Sequence, residues 1–211
     1  MKTRIHLGLL WCGVALLCAL GARGQFAQGQ KLVSNPEVAG ALLGFATAID
    51  DNLMVVGAPF EDGARGSAYV FEKSGAGWVQ VARLIASDAK SQQYFGYTVT
   101  VKGGTIAVGA YPIGQGRGSV YLFGKAINGW NQHQKLTGDE FNGTTQNIGY
   151  FGGSIALTDD HLVVGAAGET DDNAFNYDKG AVYVFSKNNG VWNRTHKLRA
   201  SDGVGGGAGS V

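Results

Sequence analysis

Short apolar runs, rich in β-branched and aromatic side chains, recur along the chain between glycines, asparagines and aspartates. One stretch contains four such runs in succession, at residues 95–101, 105–111, 118–124 and 130–136. Runs of this kind predict short β-strands joined by hairpins. Pairs of residues that accept positive φ values separate the first two runs of each set: Asp51-Asn52, Gly103-Gly104 and Asp159-Asp160. The pattern therefore predicts a meander of four strands.

The four-strand pattern occurs three times in the chain. Each copy contains a Tyr-x-Phe triplet and a tryptophan seven residues after its phenylalanine: Phe71 and Trp78, Phe123 and Trp130, Phe185 and Trp192. Each copy also contains two glycines 13 residues apart: Gly44 and Gly57, Gly96 and Gly109, Gly152 and Gly165. The repeats cover approximately residues 40–90, 91–146 and 147–202, with partial units at both ends. A period above 50 residues without a helical pattern is typical of β-propellers, whose blades have four strands.

The Tyr-x-Phe strands are apolar on both of their faces, as in Ser119–Phe123 and Ala181–Phe185. Such a strand must be covered on both sides, as happens when blades stack around an axis. Gly57, Gly109 and Gly165 interrupt β-branched runs, which predicts a bulge or a close approach of two backbones. We therefore predict an all-β protein. Its fold should be a β-propeller-type array of four-stranded antiparallel blades, with about three complete blades plus flanking strands.

The repeated motifs resemble the FG-GAP repeats that build the amino-terminal propeller of integrin α subunits. The matching residues are, in chain order, Leu43-Gly44 and Gly57–Pro59, Phe95-Gly96 and Gly109–Tyr111, and Phe151-Gly152 and Gly165–Ala167. The resemblance covers roughly residues 26–211. It implies a propeller fold and a role in extracellular binding or adhesion.

The chain differs from integrin-type repeats in the loop between the first two strands, where those repeats carry a calcium site of alternating Asp and Asn ligands. Here that loop is a hairpin turn, with Asp50, Asp51 and Asn52 in the first copy and Lys102-Gly103-Gly104 in the second. Ca²⁺ requires six to eight oxygen ligands. The chain is therefore interpreted as a variant without the integrin calcium loops, and no cofactor is expected.

A second acidic region follows the GAP position. It contains Glu61 and Asp62 in the first copy, and Glu169, Asp171, Asp172 and Asp178 in the longer third copy. Of these residues, Asp62, Asp171, Asp172 and Asp178 are the candidate calcium ligands. The alternative interpretation is a solvated loop of polar and turn-forming residues.

Three blades are fewer than the usual minimum of four in a propeller. Residues 25–33 resemble the last strand of a further blade, and residues 207–211 resemble the start of another first strand. Two interpretations stay open. The chain is either a piece of a longer propeller, or a short product whose exposed blade faces and strand edges associate with other copies.

Residues 1–24 have the pattern of a cleavable signal peptide, with basic residues, an apolar run at 7–20 and small residues before Gln25. The run of about 14 residues is too short to span a bilayer, and no later apolar segment is long enough. Both cysteines, Cys12 and Cys18, lie in this segment. We expect a secreted, extracellular protein that consists of the propeller segment 25–211. Its sequons offer Asn142 and Asn193 as glycosylation sites.

Charge and motif content argue against nucleic acid, membranes and catalysis. Of 17 Lys and Arg residues, three lie in the leading segment, which leaves 14 against 16 Asp and Glu without a run of either sign. His133, His161 and His196 occupy non-equivalent repeat positions without metal-ligand spacing, and there is no nucleophile elbow. We therefore predict that the protein is not an enzyme. His161 is expected at a strand edge, and the repeated tryptophans are expected to pack rather than bind sugars.

Four aromatic residues fall in the variable loops of the blade rims: Phe60, Tyr111, Phe175 and Tyr177. Such loops carry the specificity of many scaffolds, so these residues are the candidate ligand-binding side chains. The sequence favours a secreted, non-enzymatic binding or adhesion module that recognises a protein or glycan through its rim loops. The alternatives are an accessory propeller domain of a larger secreted hydrolase and a structural or degenerate repeat protein without a ligand.

Overall fold

The computed structural model describes residues 29–113, 118–138, 148–169 and 180–200. These residues form three antiparallel sheets of four strands, in which each strand pairs with the next along the chain. The first sheet contains β1 (Thr47–Asp50), β2 (Leu53–Ala58), β3 (Ser67–Ser74) and β4 (Gly77–Leu84). The second contains β5 (Phe95–Lys102), β6 (Thr105–Ala110), β7 (Ser119–Ala126) and β8 (Gly129–Thr137). The third contains β9 (Ile148–Leu157), β10 (His161–Glu169), β11 (Ala181–Asn188) and β12 (Val191–Leu198).

The predicted all-β architecture of four-stranded blades is confirmed, and we call the three sheets blades 1 to 3. In two of the predicted turns, Asp51 has φ 50° and Gly103 has φ 54°, as two-residue hairpins require. The prediction for Asp159-Asp160 is wrong, because neither residue has a positive φ and the connection between Leu157 and His161 is one residue longer. A short turn, Glu61–Ala64, follows β2, with Asp62, Gly63 and Ala64 at positive φ. Of the predicted flanking units, residues 29–33 form no strand. Residues 207–211 lie outside the described part of the chain.

The third and fourth strands of each blade pair with the same irregularity. The register of β3 with β4 shifts between Val70 and Phe71, and the equivalent shifts lie directly before Phe123 and Phe185. A bulge of this kind bends a strand and increases its twist. The repetition therefore extends from the sequence to the strand register.

Two hydrophobic clusters join the blades, and we call these two interfaces seams. In the seam between blades 1 and 2, Val70 and Leu84 of blade 1 share a cluster with Phe95 of blade 2. In the seam between blades 2 and 3, Leu122 and Leu136 of blade 2 share a cluster with Phe151 of blade 3. Both phenylalanines have no exposed surface. The phenylalanine of each of these FG pairs therefore packs into the preceding blade.

The Tyr-x-Phe triplet forms the support for this phenylalanine within its own blade. Because side chains alternate along a strand, the tyrosine and phenylalanine of the triplet lie on the same face. The ring of Phe95 contacts those of Tyr121 and Phe123, with centroid distances of 5.5 and 5.9 Å in edge-on geometry. Phe151 meets its own triplet in the same way. The repeated aromatics are therefore parts of one packing unit.

Glycines allow the backbones to meet at the seams. A Cβ atom on Gly57 would overlap the carbonyl oxygen of Gly96, and one on Gly109 would overlap that of Gly152. Gly96 itself has φ +94° and lies against the carbonyl oxygen of Ser67. The GAP glycine of one blade therefore packs on the FG glycine of the next. This confirms the close backbone approach that the glycine positions predicted.

The two end blades differ in how their outward faces are covered. On blade 1, Val38, Ala41 and Leu43 pack against Tyr69 and Phe71. On blade 3, the outward face remains exposed, and we define the open face as Val163, Gly165, Val182 and Leu198. Val163, Val182 and Leu198 are 36%, 36% and 53% exposed, whereas their equivalents in blade 2, namely Ala107, Val120 and Leu136, are 0%, 0% and 6% exposed. The apolar seam surface is therefore present on blade 3 without a partner among the described residues.

The seam contact predicts that alanine at Gly96 destabilises the fold more than alanine at Gly44. Both glycines have nearly the same φ, +96° at Gly44 and +94° at Gly96, but nothing lies within 4 Å of a Cβ at Gly44. Gly44→Ala should lower the free energy of unfolding by about 1–2 kcal/mol through backbone strain alone. Gly96→Ala should lower it by about 1–3 kcal/mol more, because its methyl group forces the seam apart. Urea denaturation measures both values, and equal losses would contradict the seam contact.

Candidate functional site

A row of aromatic side chains crosses the three blades on one side of the molecule. It runs through Phe60, Phe45, Tyr97, Tyr111 and Tyr150, and we call these five residues the aromatic row. Centroid distances between successive rings are 6.2, 4.8, 4.5 and 4.9 Å. The rings come from loops and first strands of different blades, so the row exists only because the seams hold the blades together. Phe45 and Tyr150 are 44% and 37% exposed, and the other three are half-buried.

The three tyrosines of the row are stacked almost parallel. The Tyr111 ring lies between Tyr97 and Tyr150, with interplanar angles of 16° and 20°. The far side of Tyr150 packs against the backbone at Gly168, where a Cβ would lie 2.7 Å from Tyr150 Cε2. Burial raises the pKa of Tyr111, and the neighbouring Tyr150 and Tyr97 add to that rise. Because both faces of Tyr111 are covered, a ligand can meet the edge and the hydroxyl of this ring but cannot stack on it.

A cavity of about 710 Å³ opens beside the stacked tyrosines. Its other wall is formed by residues of blade 3. They include Gly165, Val182 and Leu198 of the open face, and Ala167. The cavity also contacts Arg199, whose guanidinium Nη2 donates to Glu169 Oε1 at 2.6 Å. A mainly apolar pocket of 300–1,000 Å³ with a few polar groups is the usual form of a binding site. The aromatic row and this cavity are therefore the candidate functional site.

Two of the four predicted rim-loop residues, Phe60 and Tyr111, lie in the aromatic row. Phe175 and Tyr177 lie outside the described residues. The sequence reasoning missed Phe45, Tyr97 and Tyr150. Each is adjacent to the FG position of its copy, because Phe45 and Tyr97 follow that glycine directly and Tyr150 precedes Phe151. An aromatic residue next to the FG pair in every copy was the available signal.

Two acidic residues after the GAP position, Glu61 and Glu169, are buried in the structure. Glu61 is 4% exposed, accepts a hydrogen bond from the Tyr69 hydroxyl at 2.7 Å, and pairs with Arg83 at 2.6 Å. Glu169 is equally buried and is bound by the Tyr183 hydroxyl and Lys197. A buried carboxylate is stable only when it is paired and hydrogen-bonded in this way. These two glutamates are therefore structural.

Blade 2 builds the same cluster with a carboxylate from a different segment. Its own loop contains no acid, and the Tyr121 hydroxyl donates instead to Asp88, in the linker before β5, at 2.9 Å. Lys135 also binds Asp88, at 2.7 Å. Burial would raise the pKa of Asp88, but these two hydrogen bonds outweigh it and lower the pKa. Each blade thus contains a Tyr–carboxylate–base cluster, and the base stands 14 residues after the tyrosine in every copy, at Arg83, Lys135 and Lys197.

The described candidate calcium ligand, Asp62, forms a surface ion pair with Arg65 at 3.1 Å. Asp171, Asp172 and Asp178 lie outside the described residues. In the hairpin of blade 1, Asp50 accepts hydrogen bonds from Lys102 Nζ at 2.8 Å and from the Gly103 amide at 2.9 Å. Both bonds lower the pKa of Asp50. Over the described ranges, His, Cys, Asp and Glu side chains do not gather in groups of three or more that could hold a metal ion.

The remaining predicted residues have the following positions. Trp192 is 2% exposed and lies in the seam between blades 2 and 3, and Trp78 and Trp130 pack against the other hydrophobic clusters, as predicted. His161 is the first residue of β10, also as predicted, and its Nδ1 lies 2.8 Å from Asp160 Oδ1.

Asn193 lies exposed on β12, whereas Asn142 is outside the described residues. The part of the chain that the structure describes has no helix of the length and apolarity needed to cross a membrane.

Comparison with protein families agrees with the repeats seen in the structure. A family model described as FG-GAP repeat matches residues 26–71, 78–123 and 130–185. Each of the three matches ends at the phenylalanine of a Tyr-x-Phe triplet, at Phe71, Phe123 and Phe185. A search of curated protein sequences finds no match to the chain.

The Tyr–carboxylate–base clusters predict that stability falls above pH 10. Burial raises the pKa of Tyr121 above the ordinary 10.0, and the hydrogen bond to Asp88 raises it further. As the pH rises past 10, the unfolded chain loses a proton that the folded chain keeps, so unfolding becomes more favourable. The stabilisation is complete below pH 10 and is lost as the pH rises through the folded pKa. Tyr69 and Tyr183 act in the same direction.

Urea denaturation between pH 8 and 11.5 should therefore show a declining free energy of unfolding above about pH 10. Tyr121→Phe should make that decline shallower, because one of the contributing hydroxyls is removed. A decline of unchanged steepness in Tyr121→Phe would show that this hydroxyl is not coupled to folding.

Proposed function

Because the chain belongs to the FG-GAP repeat family, we propose that it is a secreted, non-enzymatic binding module that holds an extracellular protein or glycan at the aromatic row. The family supports a propeller-type adhesion or binding module. The choice of site rests on one observation: aromatic side chains from two blades, Tyr97 and Tyr111 of blade 2 and Tyr150 of blade 3, line one cavity. Tyrosine is enriched at binding hot spots because its ring contributes area while its hydroxyl provides a hydrogen bond.

The chemistry of the described side chains favours binding over catalysis. The two buried glutamates, Glu61 and Glu169, are engaged by tyrosine hydroxyls and basic side chains, and each belongs to a different blade. A general acid or base must reach a substrate proton at hydrogen-bond distance. The cavity wall instead offers tyrosine edges, small residues and aliphatic side chains, and its Arg199 is paired with Glu169. Such a surface binds a partner by contact area and by a few oriented hydrogen bonds.

Replacement of Tyr111 tests the proposed binding site. Replacing Tyr111 by serine should weaken binding to the true ligand about tenfold or more, because it removes a central ring from the row. The measurement is biolayer interferometry of the purified protein against immobilised extracellular-matrix proteins and oligosaccharides. Ile127→Ser is the control, since Ile127 is fully exposed at the turn between β7 and β8 and away from the row.

A ligand that binds the wild type and Ile127→Ser equally, but not Tyr111→Ser, supports the proposal. Equal binding to all three proteins would place the site elsewhere. Binding to no member of either ligand class would contradict the proposed function. The thermal midpoint of each variant shows whether a loss of binding reflects a loss of folding.

Secretion makes a separate prediction. Expressed in a eukaryotic host, the protein should appear in the medium with an amino terminus at or near Gln25, which Edman degradation determines. Asn193 should carry a glycan, because its side chain lies on the exposed side of an outer strand. Asn193→Gln should then remove a mass shift that peptide N-glycosidase also removes. Retention of the uncleaved chain inside the cell would contradict the secreted location.

A further inference from the structure

The cavity beside blade 3 occupies the place that an FG phenylalanine fills in each closed seam. In the first seam, Phe95 shares a cluster with Ala68 and Leu84 of the preceding blade. Val182 and Leu198, which are the equivalents of these two residues in blade 3, line the cavity instead. The pocket thus has walls of the same kind as a seam that holds a phenyl ring. In the described structure no ring from a following blade enters it.

The backbone beside the cavity also has the shape that a partner strand requires. Gly66 has φ +82° and forms a parallel bridge with Phe95, while Gly118 lies against the main chain of Phe151. Gly180 is their equivalent in blade 3 and has φ +69°. The nearest atom to a Cβ at Gly180 is the Ala167 carbonyl oxygen of the same blade, at 3.3 Å. Blade 3 therefore offers a strand-accepting edge that the other two blades have already filled.

We propose that the cavity binds an extended segment of another polypeptide in which an aromatic residue is followed by glycine. The aromatic ring enters the cavity between the stacked tyrosines and the open face. The backbone of the segment runs parallel past Gly180, and the small residue after the ring allows close approach to Gly165. This inference rests on the proposed binding function and names its ligand class as a polypeptide.

The open face is the blade 3 equivalent of the surface that blades 1 and 2 each present in a closed seam. The two closed seams therefore indicate the chemistry of the partner. In both closed seams the entering side chain is phenylalanine and the next residue is a glycine at positive φ, Gly96 or Gly152. A chain that adds a strand in this way gains main-chain hydrogen bonds, and the pocket for its side chain provides specificity. A sugar ring would need a free aromatic face, and the stacked Tyr111 has none.

A second copy of this chain is the poorer source of the ring. A second copy presents Phe95 and Phe151 fully buried in its own seams. Its first unit has Leu43 in place of phenylalanine, and Leu43 packs against blade 1. A partner with a free aromatic-glycine strand therefore fits the cavity better than a copy of this chain.

The test uses a fluorescent peptide with the sequence of residues 93–101, QYFGYTVTV, titrated with the purified full chain and followed by anisotropy. The parent peptide should bind. A peptide with alanine in place of the phenylalanine should bind about tenfold or more weakly, because burial of the ring is lost. A peptide with valine in place of its glycine should also bind more weakly, because the valine side chain prevents the close approach.

Two protein variants separate the cavity from the rest of blade 3. Leu198→Glu places a charge in the cavity, whereas Val191→Glu places the same charge at the other end of β12. The two residues are 53% and 50% exposed, so both variants should fold, which circular dichroism and the thermal midpoint check. Leu198→Glu should abolish peptide binding, and Val191→Glu should leave it unchanged. Equal affinities of both variants, or of the parent and alanine peptides, would overturn the inference.

Two further outcomes distinguish the alternatives. If oligosaccharides bind in a Tyr111-dependent manner while the peptide does not bind, the polypeptide inference is overturned and the binding module stands. Loss of every Tyr111-dependent interaction would remove the proposed function as well. Sedimentation equilibrium tests whether a second copy of the chain is the occupant. Self-association that Leu198→Glu abolishes would show that a second copy fills the cavity, and would also overturn the inference.

Discussion

The contact between glycine backbones across the seams is the constraint on which the other features depend. Gly57 meets Gly96 and Gly109 meets Gly152 so closely that any Cβ at Gly57 or Gly109 would overlap the facing carbonyl oxygen. This approach brings β1 against β5 and β5 against β9, and it allows each FG phenylalanine to enter the preceding blade. The FG and GAP motifs stand 13 residues apart in one copy, yet each works with the motif of a neighbouring copy. That reciprocity explains why they recur together.

The same seam geometry accounts for the features near the cavity. The rings of Tyr97, Tyr111 and Tyr150 come from two blades and stack because the seam places them side by side. The Tyr–carboxylate–base clusters stabilise the Tyr-x-Phe strands on which the FG phenylalanines rest. Blade 2 shows that the position of the acid along the chain is not essential, since Asp88 from a linker does the work of Glu61 and Glu169. What the three blades share is a carboxylate that the tyrosine hydroxyl can reach.

Sequence reasoning predicted the local structure well because local patterns determine it. The predicted strand at 105–111 is β6 at Thr105–Ala110, and the predicted turns at Asp51-Asn52 and Gly103-Gly104 are the observed ones. The site was harder to predict because it depends on contacts between blades. Phe60 and Tyr111 were identified from their loops, but Phe45, Tyr97 and Tyr150 enter the row through the seam. The acidic loop was open to a calcium interpretation because the sequence does not show that Glu61 and Glu169 lie beneath tyrosine hydroxyls.

The central claim is that blade 3 carries a complete seam surface that no residue of the described part of the chain covers as a following blade would. Hydrogen–deuterium exchange of the free protein, followed by mass spectrometry, tests it by comparing equivalent strands. β6 and β7 of blade 2 are covered on both faces, whereas β10 and β11 of blade 3 are covered on one, so β10 and β11 should open more readily and exchange faster. Equal protection of the two strand pairs would show that the outward face of blade 3 is as well supported as a closed seam, and would contradict this account.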